Sequence, residues 1–180
     1  MAKKKSTNNG RSRKHNQPES AADLLRQGTR ALHQGRIDEA VPLLERSYEL
    51  DKFSEDTALN LGGAYILAKK FAQAVAILEP LSEKAPDNPM VWTNLGAAYL
   101  GNPVLAKDED QQSSIIAFKQ AIELDPVAPN VAYNLGLIYR DRQDTEEALY
   151  WFQRALAANP ADQDAQHYID RLTQADETED

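Results

Sequence analysis

Small and apolar residues recur along this chain at a fixed interval. The triplet Asn-Leu-Gly stands at 60–62, 94–96 and 134–136, and each glycine is followed three residues later by a tyrosine: Tyr65, Tyr99 and Tyr139. A degenerate copy opens at Gly28. Gly28 to Gly62 and Gly62 to Gly96 are 34 residues each, and Gly96 to Gly136 is 40, one period plus six. A period of this length marks stacked supersecondary units.

Each period carries a second segment. Ala40, Leu44 and Ser47, then Ala74, Leu78 and Leu81, then Ser114, Phe118 and Ala121, then Ala148, Phe152 and Ala155 are spaced by four and three. That spacing places each set on one helical face. Pro86, Pro126 and Pro160 close the last three segments, with Lys52 at the equivalent place in the first. Proline cannot continue a helix, so the chain turns there. The pattern predicts two helices per period, with Gly62 and Ala74, or Gly136 and Ala148, at the points of close helix approach.

On these residues the chain resembles the tetratricopeptide repeat (TPR) family, whose unit is a 34-residue antiparallel helix pair. The copy from Pro89 matches most fully, with Trp92, Leu95, Gly96 and Tyr99 in its first helix and Phe118, Ala121, Asp125 and Pro126 in its second. The copy from Pro129 has Ala132 where the tryptophan would be, and the first copy has Gln27 and Ala31 for leucine and tyrosine. The resemblance implies an all-α solenoid, a right-handed superhelix of antiparallel helix pairs. Its repeats fall at 21–54, 55–88, 89–128 and 129–162, with the six-residue insertion near 101–112. Ala165, Tyr168, Ile169 and Leu172 follow at helical spacing, with Asp162 or Asp164 as N-cap, and predict a capping helix over 163–172.

TPR proteins bind other proteins, and in the family the first helix of each repeat lines a concave groove for an extended peptide or a partner helix. The resemblance therefore implies a protein-interaction scaffold or adaptor with a protein or peptide partner. Asn60, Asn94 and Asn134 precede Leu-Gly in successive repeats, which sets them in a row along that groove. An asparagine amide can pair with both the carbonyl and the N–H of an extended backbone. The row looks like the asparagine ladder by which some family members hold peptides. The same amides also suit neighbouring backbone groups of their own chain, and both roles stand at this point. Helical spacing turns Leu25, Leu59, Ile66, Leu67, Leu100, Tyr133, Leu137 and Arg140 to the groove, with Leu59, Ile66, Leu100, Tyr133 and Leu137 as apolar lining and Arg140 as a charged end-stop. The carboxylate clamp of chaperone-binding members is not matched. Its basic places hold Leu25, Met90 and Asn94, and only Asn60 fits.

Charge divides the chain further. Of the net -8, residues 1–20 contribute +5, residues 21–172 contribute -9, and the last eight residues carry four acids. Residues 1–20 lack the apolar content that offsets ordering entropy and read as a basic disordered tail, and 173–180 as an acidic one. The basic tail suits nucleic acid or a ribosome through phosphate contacts, or serves as a solubilising extension. Self-assembly, with the groove taking another copy's terminal helix, is a third reading. In the insertion, Asp108, Glu109 and Asp110 lack the spacing of a calcium loop and read as a solvated acidic loop, with Val104 and Leu105 docking it on the groove rim.

Nothing in the sequence suggests catalysis. There is no cysteine, and His15, His33 and His167 lie far apart in sequence. Asp144 with Glu147 reads as an N-cap and its box partner rather than an acid/base couple. The expectation is no enzyme, no cofactor, no metal and no small-molecule substrate. With no apolar run of membrane-spanning length, it is also a cytoplasmic chain without a membrane partner.

Overall fold

A computed structural model describes residues 19–103, 106–128 and 130–176. Among them are nine helices and no strand: α1 (Ala21–His33), α2 (Ile37–Leu50), α3 (Glu55–Leu67), α4 (Phe71–Lys84), α5 (Pro89–Leu100), α6 (Asp108–Leu124), α7 (Val131–Asp141), α8 (Thr145–Ala158) and α9 (Gln163–Asp176). Consecutive helices pack along the chain, α1 on α2 through α8 on α9, and α3 also meets α1 and α5. This is an all-α TPR solenoid of four helix pairs closed by one further helix.

Local chemistry sets the helix starts. The side chains of Ser20, Ser54, Asn88 and Asp144 accept backbone N–H groups of Asp23, Thr57, Met90 and Glu147, satisfying donors that a first turn leaves unpaired. Asp162 does the same for Ala165 and is the cap of α9. The Asp144 box is half formed, because the Glu147 carboxylate instead accepts from Trp151 Nε1 at 2.8 Å. Within three of the repeats the turn between helices places Gly35, Lys69 and Gln143 in the left-handed region, with φ of 70°, 58° and 61°.

The close approach of paired helices is made by glycine, but against a larger residue than alanine. A Cβ on Gly28 or Gly62 would lie 2.6 Å from Leu44 Cγ or Leu78 Cδ2, and one on Gly136 2.7 Å from Phe152 Cδ1. Leu44, Leu78, Phe118 and Phe152 are fully buried and form the spine of two apolar clusters, which share Trp92 at their junction. Burying each such side chain contributes about 1.5–3 kcal/mol. In the third repeat Ser114 replaces the small apolar residue, and its hydroxyl donates to the Gly96 carbonyl at 2.8 Å.

Successive repeats are joined by a tyrosine of one and a residue of the repeat before it, always 20 positions apart. The Tyr65 hydroxyl donates to Glu45 at 2.9 Å and that of Tyr99 to Glu79 at 2.6 Å, while the Lys119 ammonium lies 5.5 Å from the Tyr139 ring centre.

The insertion lengthens the turn between α5 and α6 and also α6 itself, which has 17 residues where the other second helices have 14. Asp108, Glu109 and Asp110 therefore form the first turn of α6 and not a loop. Carboxylates complement the positive end of a helix, and Asp110 accepts the Lys107 N–H at 3.1 Å. Val104 and Leu105 lie outside the described residues, as do residues 1–18 of the basic segment. At the other end α9 runs to Asp176, four residues beyond the expected 172.

Candidate functional site

The first helices bring part of the expected site together. Leu59, Asn60, Gly63, Ile66 and Leu67 of α3 face Met90, Asn94 and Ala97 of α5 and Leu32 and His33 of α1 across a cleft of about 360 Å³. Five of these residues, Asn60, Asn94, Leu59, Ile66 and Leu67, are the ones that spacing alone turns to the groove. Leu67 and Met90 are each 60% exposed, a high value for such large apolar side chains.

The asparagines divide by role. Asn60 is spent on its own protein: its Nδ2 donates to the Asp56 carbonyl at 2.8 Å, and its Oδ1 accepts from the Thr29 hydroxyl of α1 at 3.2 Å. It thus ties α1 to α3. Asn94 and Asn134 are half-buried, and among the described residues neither amide has a hydrogen-bond partner. In the first repeat Arg26 pairs with Asp23 at 2.6 Å, on the surface.

Other expected residues are placed differently. Leu100 is only 7% exposed and belongs to the second core cluster, so it cannot line the groove. It is the last residue of α5 and turns inward. Tyr133 and Arg140 face the terminal helix. The Tyr133 ring lies 5.7 Å from Phe152 and 6.3 Å from Tyr168, and the Arg140 guanidinium sits 4.8 Å above the Tyr168 ring and pairs with Asp141. Burial pushes the Tyr133 phenol above its usual range, and the nearby Asp164 and Asp162 carboxylates add to it. Arg140 is thus part of the seat for α9 and not a free end-stop. Leu137 is half-buried against the same cluster.

Spacing missed Gly63, whose counterparts in the next two repeats are Ala97 and Leu137. The signal was the doubled glycine at 62–63. Gly62 is required by Leu78, but a Cβ on Gly63 would meet only Asn94 Nδ2, at 3.6 Å, an ordinary contact. Its lack of a side chain therefore leaves open floor beside the Asn94 amide.

Among the described residues no group of three or more His, Asp or Glu side chains could hold a metal ion, and no helix is long and apolar enough to cross a membrane. What the arrangement offers is shape, apolar surface and amide pairing, the means of a repeat scaffold that binds along its length.

The chain belongs to the tetratricopeptide repeat family. Two family models, both described as Tetratricopeptide repeat, match residues 31–98 and 103–163. Among curated proteins it is similar to the BBSome complex member bbs-4 of Caenorhabditis elegans, at 26% identity over 174 residues covering 77% of this chain and 38% of that protein. It is also similar to anaphase-promoting complex subunit 3 of Schizosaccharomyces pombe, at 24% over 127 residues covering 69% of this chain and 18% of that one. It thus spans well under half the length of these relatives. Among solved structures, MamA MSR-1 superposes with a TM-score of 0.70 at 28% identity, covering 86% of both chains. A thermophilic TPR protein of Thermus thermophilus gives 0.70 at 19%, covering 87% of this chain and 82% of its own, a likeness of fold alone. Family and fold are those of protein-interaction scaffolds.

Proposed function

We propose that the protein is an adaptor that holds an extended or helical segment of a partner protein in the cleft formed by α1, α3 and α5. The carrying observation is the Asn94 amide, half-buried beside Leu59, Ile66 and Met90 and without a partner among the described residues. An amide so placed gains most when a ligand backbone supplies its missing bonds. Asn134 and Leu137, the corresponding positions of α7, lie outside this cleft, and Asn60 contributes by holding its wall.

The lining favours a peptide over a polyanion or a small substrate. Among the described residues His33 is its one titratable group, and residues 21–172 carry a net -9, which repels phosphate. The cleft is open and mostly apolar, as a surface for a side-chain-bearing strand or helix is.

Selection of displayed random peptides against the full chain tests the reading. Enriched peptides should lose about tenfold in affinity against Asn94→Ala, the loss of roughly one well-made hydrogen bond, and should not bind Leu59→Asp. Peptides that bind both variants as they bind the parent, or a selection that enriches none, would overturn it. Binding that disappears only when residues 1–18 are removed would transfer the function to that segment.

A further inference from the structure

The opposite side of the array carries a second cleft that the adaptor reading does not use. Helices α4, α5 and α6 enclose about 350 Å³ walled by Trp92 and Tyr99, rimmed by Glu79 and Glu83, and floored in part by Ile116, which is 60% exposed. Among the described residues no cation lines it. Lys84, the nearest in sequence, is turned to the Phe53 ring 5.7 Å away.

Two further carboxylates lead to this cleft. Glu45 and Glu49 of α2 stand one period of 34 residues before Glu79 and Glu83, at the same places on the preceding second helix. Glu45 and Glu79 also accept the equivalent tyrosine hydroxyls, so the four acids form a row across α2 and α4. The start of α1 is tied to the same row. Glu19 pairs with Arg46 of α2 at 3.2 Å and accepts from Gln27 at 3.0 Å, so the chain enters the fold beside Glu45 and Glu49.

The eighteen residues before Glu19 hold Lys3, Lys4, Lys5, Arg11, Arg13 and Lys14 and no acid. Eighteen residues reach about 60 Å when extended. The cleft lies two or three helix spacings from Glu19, each about 8–10 Å. The reach is ample, and the four acids along the path are opposite in charge to the segment, although Arg46, paired with Glu19, and Lys70, 5.6 Å from the Tyr65 ring, stand beside the row.

We propose that residues 1–18 dock on their own array along this row, Arg11, Arg13 and Lys14 against Glu45 and Glu49, and the Lys3–Lys5 run in the Glu79–Glu83 cleft against Trp92 and Tyr99. Lysine suits such a pocket because an ammonium is attracted by both carboxylate and aromatic face. The contact is exposed and therefore salt-sensitive. Docked in this way, the segment is an intramolecular strap over the outer face, and the groove of the first helices stays open.

The chain has no cysteine, so Ser6→Cys gives a single site for a nitroxide label in the full-length protein. At low salt the label should broaden the amide signals of Ser82 to Lys84, Trp92 and Ser113 to Ala117. The broadening should vanish at about 0.5 M salt, where the Debye length falls to a few ångströms. It should also vanish in Glu79→Gln/Glu83→Gln, which keeps an acceptor for the Tyr99 hydroxyl. Broadening centred on Leu59, Met90 and Asn94 would place the segment in the groove and overturn the proposal. So would absence of broadening, its persistence in the double variant, or its appearance only between labelled and unlabelled copies. The groove's peptide affinity is read separately, so either idea can fail alone.

Discussion

A Cβ built on Gly96 would lie 2.5 Å from Cδ1 of Phe118, a ring that is itself fully buried. In the other three repeats the glycine and its large partner are 16 residues apart, and here they are 22, so the six-residue insertion passes around the interface and leaves it unchanged. Phe118 has no space to retreat. Gly96→Ala should therefore cost about 1–3 kcal/mol from overpacking, outweighing the roughly 1 kcal/mol that alanine gains in helix propensity. A fall in the urea midpoint at unchanged slope checks this.

Gly63, one residue after the glycine equivalent to Gly96, should respond with the opposite sign. The new methyl meets only ordinary contact, so Gly63→Ala should raise stability by about 0.5–1 kcal/mol. It should nonetheless weaken groove peptides, because the methyl occupies the floor beside Asn94. Urea unfolding and peptide titration on one preparation check both halves. A stabilised variant with full affinity would show that the glycine does not serve the ligand.

The sequence contains the repeat arithmetic, and the structure shows why it is legible. The glycines, their large partners and the prolines after each second helix are requirements of helix pairing that every repeat meets again, so each copy corroborates the others. The misread residues are those whose surroundings are not repeated. Tyr133 and Arg140 occupy groove-facing places in a first helix, but the fourth repeat is followed by α9, which lies where another first helix would come and covers them. Asn60 looks like Asn94 by position, yet only Asn60 has a hydroxyl opposite it, because the preceding first helix carries Thr29 where α3 carries Gly63. Asp108 to Asp110 read as a loop because the 34-residue template has no place for them, whereas acidic residues are favoured in a first helical turn.

That difference between the asparagines is measurable. Asn60→Ala removes two hydrogen bonds, one of them between repeats, and should cost about 1–2 kcal/mol. Asn94→Ala removes none within the described residues and should change stability by less than about 0.5 kcal/mol. Thermal melts of the two variants should separate clearly, with Thr29→Val reproducing part of the Asn60 loss. Equal melting temperatures would mean that the Thr29 bond contributes nothing.

The tyrosine latches predict an alkaline limit to stability. Burial, and then the hydrogen bond to Glu45 or Glu79, pushes the Tyr65 and Tyr99 phenols up to about 12 from an ordinary 10. Folding favours the neutral phenol. The contribution is therefore complete below pH 10, where both states are protonated, and is lost as pH rises from 10 towards 12, where the unfolded chain ionises first. Tyr65→Phe/Tyr99→Phe should be less stable at neutral pH and should lose less stability between pH 9 and 11.5. Chemical denaturation across that range gives the comparison.

Tyr168 is the residue on which the end of the array closes. Its ring stacks on Phe152 at 4.9 Å with an 11° interplanar angle, and the Arg140 guanidinium covers it at 4.8 Å. α9 is mostly polar, with Ala165 as the one fully buried residue among those described and Tyr168, Ile169 and Leu172 half-buried, so few contacts hold it. Tyr168→Ala removes the aromatic stack and the cation–π pair together, which should cost about 2–3 kcal/mol at a site that is not fully enclosed. A helix held so narrowly should respond by local opening before the array unfolds. Amide exchange over residues 163–174 should accelerate in Tyr168→Ala while protection in α3 and α4 stays at the parent's level. Uniform acceleration through all helices would instead show that α9 and the repeats unfold as one unit.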